Sequence, residues 1–306
     1  MEQNSSNVFT KSLSKTYKKI THADGVYLYD EDGRRYMDFG AGLAVTNIGN
    51  GVKEVCDAIA KQAYEVTYLN GGAFTSQARE ELASNIIKLA PKGMERVFFC
   101  SGGSEAVESM AKIARQYQIE MGRPSKYKII SRWQSYHGNT FGTLSLGGRP
   151  SWRSRYENLL LHMPHIAQCN CYRCPYGLER CNCSVPCAEE LERVIKYEGA
   201  ESVAAFVLEP VTGTTATATV PPVEYMKRIR EICDKYDVLM CCDEVITGLG
   251  RTGKNFAIDH FGVVPDLISI AKGLGGGYAP IGAVIAHKKV VDAIANGSGI
   301  LEHSYT

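Results

Sequence analysis

The 306-residue sequence lacks a charge of either sign in excess, since 34 Lys and Arg face 33 Asp and Glu for a net +1. No overall field then draws it to nucleic acid or to an acidic membrane, and neither is expected as a partner. Long hydrophobic runs are missing too. The longest apolar stretches, such as Val203–Leu208 and Val238–Cys242, fall far short of the roughly 20 residues that span a bilayer. Met1 to Thr10 is polar and carries no apolar core of a signal peptide. Internal repeats and low-complexity tracts are absent. A soluble, cytoplasmic protein is the expectation.

What is present is ordinary for a globular chain: 44% hydrophobic and 22% charged residues, enough for a large core. Cysteine is plentiful, at eleven, and six of them lie between Cys169 and Cys187. Cys56, Cys100, Cys233, Cys241 and Cys242 sit in apolar or helical patterns. Without a secretory signal, buried reduced thiols are expected rather than a disulfide framework.

Gly25–Phe39, GVYLYDEDGRRYMDF, reads as a β-hairpin around an acidic turn ending at Gly33. Val52–Val66 and Ser76–Leu89 have helical periodicity. From Arg96 the pattern becomes strand, glycine-rich turn, helix. Arg96–Cys100 is a strand; Ser104–Glu120 is a helix whose core face is Ala106, Met110, Ile113, Ala114 and Tyr117. Further strands are expected at Lys128–Ser131, Val203–Glu209, Val238–Asp243, Leu267–Ala271 and Ala283–Ala286. Helices at Ala188–Tyr197 and Pro222–Tyr236 lie among them. This alternation predicts an α/β fold, a mostly parallel sheet covered on both faces. Ligands of such sheets sit beyond the carboxyl ends of the strands. The end at Leu301–Thr306 shows no closing helix or cap, and is read as the edge of a fragment of a longer chain.

Five segments at those strand ends carry chemistry. In VLMCCDEVITGLGRTG (Val238–Gly253) an apolar strand delivers Asp243 and Glu244. A carboxylate there needs a cationic partner, and a protonated pyridine nitrogen would serve; a simple turn cap is the bland alternative. In PDLISIAKGLGGG (Pro265–Gly277) a strand delivers Lys272, where lost hydration favours a neutral, nucleophilic amine suited to a Schiff base. The alternative is a surface lysine beside a flexible turn. FFCSGGSEAVE (Phe98–Glu108) turns through Gly102 and Gly103 into a helix at Ser104, an anion site or an ordinary N-cap. In SYHGNTFGTLSLGG, Tyr136 and His137 follow a strand; the ring of Tyr136 stacks on a flat cofactor or belongs to the core. Glu209, before Pro210, adds a third carboxylate, for a site network or a turn.

Taken in order, SGGSEAVE (Ser101–Glu108), YHG (Tyr136–Gly138), EP (Glu209–Pro210), DEVITGLGRTG (Asp243–Gly253), AKGLGGGYAPIGA (Ala271–Ala283) and HSYT (His303–Thr306) resemble the class III aminotransferases. These are pyridoxal-phosphate (PLP) enzymes of fold type I. The resemblance implies a seven-stranded-type large domain over 56–306, lacking its C-terminal end, and an N-terminal small-domain segment over 1–55. It implies Lys272 as the Schiff-base lysine and Asp243 as partner of the pyridine nitrogen. Val245 and Tyr136 would take the two ring faces, with His137 beside them. Gly102, Gly103 and Ser104 would hold the phosphate, Glu209 would organise the site, and Thr306 would reach the cofactor of a neighbouring subunit. A homodimer follows. The implied reaction is ping-pong transfer of an amino group from an amine or amino acid to a 2-oxo acid. A decarboxylating transaminase, an aminomutase, a phospholyase and an inactive fragment are the alternatives. Departures from the family pattern are Asn50-Gly51 in place of His-Pro, and Val211–Thr219 in place of a Gln-Gly-x-Gly-Gly-type run.

The cysteines of CNCYRCPYGLERCNCSVPC (Cys169, Cys171, Cys174, Cys181, Cys183 and Cys187) have spacings open to a tetrahedral zinc site or to reduced, packed thiols. No metal is placed among the expected sites. A dinucleotide fold is set aside, because no G-x-G-x-x-G follows the first strand with an acidic partner beyond it.

Overall fold

The computed structural model describes residues 6–180 and 183–304. Near the N-terminus, β1 (Ile20–Asp24), β2 (Tyr27–Asp30) and β3 (Arg35–Met37) form an antiparallel sheet in that order. The predicted hairpin is β2–β3. Its acidic turn is organised by Asp30, whose carboxylate accepts the Asp32 and Arg34 N–H groups and the Tyr36 hydroxyl at 2.7 Å. β1 escaped the sequence reading because ITHAD has no clean alternation. Gly25, at φ +53°, makes the tight turn into β2.

A single turn, α1 (Ala41–Ala44), precedes helices α2 (Lys53–Glu65) and α3 (Gln77–Leu89). The Ser76 hydroxyl caps α3 by accepting the Arg79 N–H. No residue of α2 is buried, so Cys56 is exposed, against expectation.

The main sheet then follows in chain order. β4 (Met94–Cys100) leads into α4 (Gly103–Glu120), and β5 (Lys128–Arg132) into the short helices α5 (Phe141–Leu146) and α6 (Pro150–Arg153). After β6 (His165–Ile166) come α7 (Pro186–Glu198), β7 (Val203–Leu208), α8 (Val223–Lys235) and β8 (Leu239–Asp243). β9 (Leu267–Ile270), β10 (Gly282–His287) and α9 (Lys288–Asn296) complete it. The order across the sheet is β4-β10-β9-β8-β7-β5-β6. β9, β8, β7, β5 and β6 are mutually parallel, and β10 alone runs antiparallel to both neighbours.

Two apolar layers explain why these strands are continuous hydrophobic runs. Phe206, Leu208, Met240, Cys242, Ile268 and Ile270 join one core with α7 and α8. Ala205, Val207, Leu239, Cys241 and Leu267 join the other, against α4. The buried face of α4 includes all five predicted residues. Each fully buried large side chain contributes about 1.5–3 kcal/mol. Asp266, at the start of β9, is buried and holds Arg230 at 2.9 Å, the ammonium of Lys289, and the Met240 N–H at 2.7 Å.

The short elements β6, α5 and α6 offered the sequence too few periods to read. The antiparallel sense of β10 is a pairing choice with no local signature.

Candidate active site

The strands β4, β7, β8 and β9 end at one rim, over a cavity of about 300 Å³. Each predicted residue among the described ones lines it. The turn after β4 supplies Gly102, Gly103 and Ser104, and the loop after β5 supplies Tyr136 and His137. β7 leads to Glu209, β8 to Asp243 and Val245, and β9 to Lys272. Thr306 lies outside the described residues.

Asp243 closes β8 as a buried carboxylate. Its Oδ2 is 2.8 Å from His137 Nδ1, and its Oδ1 accepts the Val245 N–H at 3.1 Å and the Ser269 hydroxyl at 3.3 Å. The carboxylate fixes the imidazole with its proton on Nδ1. His137 Nε2, also buried, has no hydrogen-bond partner among the described residues.

Lys272 has φ +47°, a left-handed backbone rare outside glycine. Such strain, on the order of 1–3 kcal/mol, clusters at functional sites. Burial pushes its amine below the usual lysine range, while the Asp243 and Glu209 charges oppose the shift. Glu209 takes the Tyr136 N–H at 3.2 Å and the Gly213 N–H at 2.8 Å on its two carboxylate oxygens. Its main-chain carbonyl accepts from the Arg132 guanidinium. Burial pushes the Glu209 carboxyl upward, opposed mainly by His137 and reinforced by Asp243.

Also at the cavity wall, α4 begins without a side-chain cap. Its first N–H groups face outward, as helix geometry dictates. A Cβ on Gly103 would come within 2.9 Å of Val245 Cγ1, so only glycine lets the helix approach this closely. The Ser104 hydroxyl donates to Asn139 Oδ1 at 2.9 Å and accepts the Asn139 N–H at 3.2 Å.

Glu244 points away from the cavity and ties the end of β8 to the next turn. It accepts the Ala257 and Ile258 N–H groups, at 3.1 and 2.8 Å, and the Thr247 hydroxyl. Burial still pushes its carboxyl up to about 7.

Sequence reasoning missed Asn139 and Ser269, and also Val45 and Ile281 in the wall. Asn139 directly follows the Tyr-His-Gly motif and Ser269 lies three residues before Lys272, so nearness to a motif was the available signal. Val45 and Ile281 are ordinary apolar residues whose place depends on the fold.

The family model for class III aminotransferases matches residues 9–306. The chain belongs to the class III aminotransferases. A relative in this family, the uncharacterized aminotransferase YodT of Bacillus subtilis (strain 168), is 38% identical over 302 residues, covering 99% of this chain and 68% of that protein. The putrescine–pyruvate aminotransferase of Pseudomonas aeruginosa is 39% identical, with 94% of this chain and 63% of that protein covered. An amine transaminase from an uncultivated Pseudomonas species, solved with PLP bound, superposes with TM-score 0.93 at 35% identity, over 100% of this chain and 71% of that one. This class III chain thus spans about two thirds of the length of such relatives. The fold is the PLP fold type I large-domain architecture that the motifs implied, and PLP is the cofactor of the family. Among the described residues no helix is long and apolar enough to cross a membrane.

Proposed function

We propose that this chain is the cofactor-holding part of a PLP-dependent aminotransferase. It moves an amino group from an amine or amino acid to a 2-oxo acid by ping-pong exchange at Lys272. One observation carries the reading: Asp243, Lys272 and the Gly102–Ser104 turn line the same cavity.

The groups present fit the cofactor. An uncapped helix start receives a dianionic phosphate. A buried carboxylate lining the same cavity would receive a protonated ring nitrogen, and His137 Nε2, without a partner among the described residues, marks a polar wall. PLP, when bound, supplies a carbonyl that accepts the amino group and a ring that withdraws electrons. The protein does the rest. Gly102, Gly103 and Ser104 would hold the phosphate. Asp243, oriented by His137 and Ser269, would hold the proton on the ring nitrogen. Tyr136 and Val245 would take the two faces of the ring. Glu209 fixes the Tyr136 loop through its main-chain N–H. The Lys272 amine, made less basic by burial, acts first as nucleophile and then carries a proton at Nζ.

The same reading divides the chain into an N-terminal segment, 1–55, and a PLP-binding domain, 56–306, and it includes a cytoplasmic homodimer. The match of HSYT to the family motif supports the dimer, with Thr306 reaching the neighbouring cofactor. The name of the putrescine–pyruvate relative supports amine donors.

Purified chain mixed with PLP should develop a visible absorbance band that borohydride fixes onto the peptide containing Lys272. Lys272→Ala should lose the band while keeping its fold by circular dichroism. A folded wild-type chain that takes up no PLP would overturn the reading.

A further inference from the structure

Outside the cofactor cavity, the most concentrated chemistry is the cysteine-rich stretch. Cys169, Cys171, Cys174, Cys183 and Cys187 all line one small cavity of about 20 Å³, room for a water-sized molecule. Cys169 and Cys187 form its buried floor, at 2% and 6% exposure, and the two thiols lie against each other. Among the described residues no three His, Cys, Asp or Glu side chains surround a metal-sized centre. Cys169 and Cys187 are buried, whereas Cys171, which also lies beside Cys169, and Cys174 and Cys183 are half-buried.

Three features favour negative charge at Cys187. It is the second residue of α7, where its own N–H and that of Ala188 face the sulfur. The Cys169 thiol lies beside it, able to donate to a thiolate. The third is Arg132, fully buried, with no ion pair among the described residues. One Arg132 nitrogen bonds the Glu209 carbonyl and Thr212 Oγ1, while Nε and Nη1 have no hydrogen-bond partner among the described residues. A buried guanidinium needs a counter-charge, and its field acts on both Cys169 and Cys187. The contact with Cys169 first, then the helix N–H groups and Arg132, pull the Cys187 thiol down, while that same contact and burial push Cys169 up against the pull of Arg132. A helix start, a neighbouring arginine and a partner thiol are the setting of a reactive cysteine.

We propose that Cys187 and Cys169 are a redox modification site, at which a small peroxide joins the two sulfurs in a reversible disulfide. The Cys187 thiolate attacks one peroxide oxygen, the O–O bond breaks, and hydroxide leaves and takes up a proton. Cys187 is now a sulfenic acid, oxidised by two electrons, and the peroxide is reduced by two. The Cys169 sulfur attacks Cys187 Sγ, the S–O bond breaks, and the oxygen leaves as water with the Cys169 proton. Thiol reductants reverse the bond by exchange. Oxidation removes the negative charge facing Arg132, whose other side holds the Glu209 carbonyl at the cofactor cavity.

The test is a peptide map of the reduced full chain after limited treatment with hydrogen peroxide, with free thiols alkylated. The first linked peptide to accumulate should join Cys169 to Cys187, and dithiothreitol should remove it. Cys169→Ser should leave a sulfenic acid at Cys187, trapped by dimedone. Cys187→Ser should slow peroxide consumption roughly tenfold or more. A first link between any other two cysteines overturns the proposal. So does stoichiometric zinc that shields these thiols from peroxide. The wild-type map decides alone, so a variant that fails to fold leaves the test intact. It reads sulfur chemistry only, and its failure leaves the aminotransferase reading standing.

Discussion

His137 Nδ1 lies 2.8 Å from Asp243 Oδ2, with both side chains almost wholly out of solvent. The two come from different strand ends, 106 residues apart. Each satisfies the other in the interior: the imidazole N–H meets an acceptor, and the carboxylate oxygen meets a donor. Asp243→Asn should lower kcat about a hundredfold or more, because it removes the preorganised charge and leaves His137 choosing its own tautomer. Steady-state kinetics with a reactive amine, alongside PLP titration, measures this. An Asn variant within a few-fold of wild type would dismiss Asp243 as the essential charge.

Gly103→Ala tests the phosphate turn. The added methyl meets Val245 at 2.9 Å and must push α4 from the cavity. Overpacking of this kind costs about 1–3 kcal/mol. Affinity for PLP should fall more than affinity for pyridoxal, which lacks the phosphate. Equal losses for the two would place the damage elsewhere.

Glu244 should shape stability against pH. Its carboxyl is raised by burial from 4.5 to about 7. An acid raised on folding stabilises the native state fully below its unfolded value and loses that contribution as pH climbs through the folded value. The window is therefore 4.5 to about 7. Relative to Glu244→Gln, the wild type should lose roughly 3 kcal/mol of unfolding free energy across it. Urea denaturation of both proteins at the two ends of that window reads the difference; parallel pH profiles would rule it out.

Asp266 concentrates three partners in one buried carboxylate. Asp266→Ala strips Arg230 of its buried partner, leaving only the exposed Asp234 among the described residues, and frees the Met240 N–H inside the sheet. A loss of about 3–5 kcal/mol is expected, seen as a lower denaturation midpoint with little change in the PLP spectrum. Asp234, which pairs with Arg230 from a far more exposed position, should tolerate alanine within about 1 kcal/mol.

The sequence made β7, β8 and β9 legible because strands buried on both faces must be unbroken apolar runs. It made Asp243 and Lys272 legible because a charge closing such a run demands a reason. It could not show that β10 inserts between β4 and β9, since strand pairing is decided by distant segments. Nor could it show that His137 belongs to Asp243, or that Arg132, an ordinary strand-end arginine in one dimension, lies between the thiol pair and Glu209. Those relations exist only after the chain closes on itself. Cys56 was misjudged for the opposite reason: its helical pattern is real, but no described neighbour covers that helix.

β10 threads back against the direction of β4 and β9, so the stretch from Lys272 to Ile281 is fastened at both ends to adjacent rungs. One residue added there leaves the chain two choices. It can bulge within the loop, or it can slide β10 by a rung and exchange Val284 and Ile285 between the two apolar layers. The reactive amine thus sits on the part of the molecule where length, more than side-chain identity, is least negotiable.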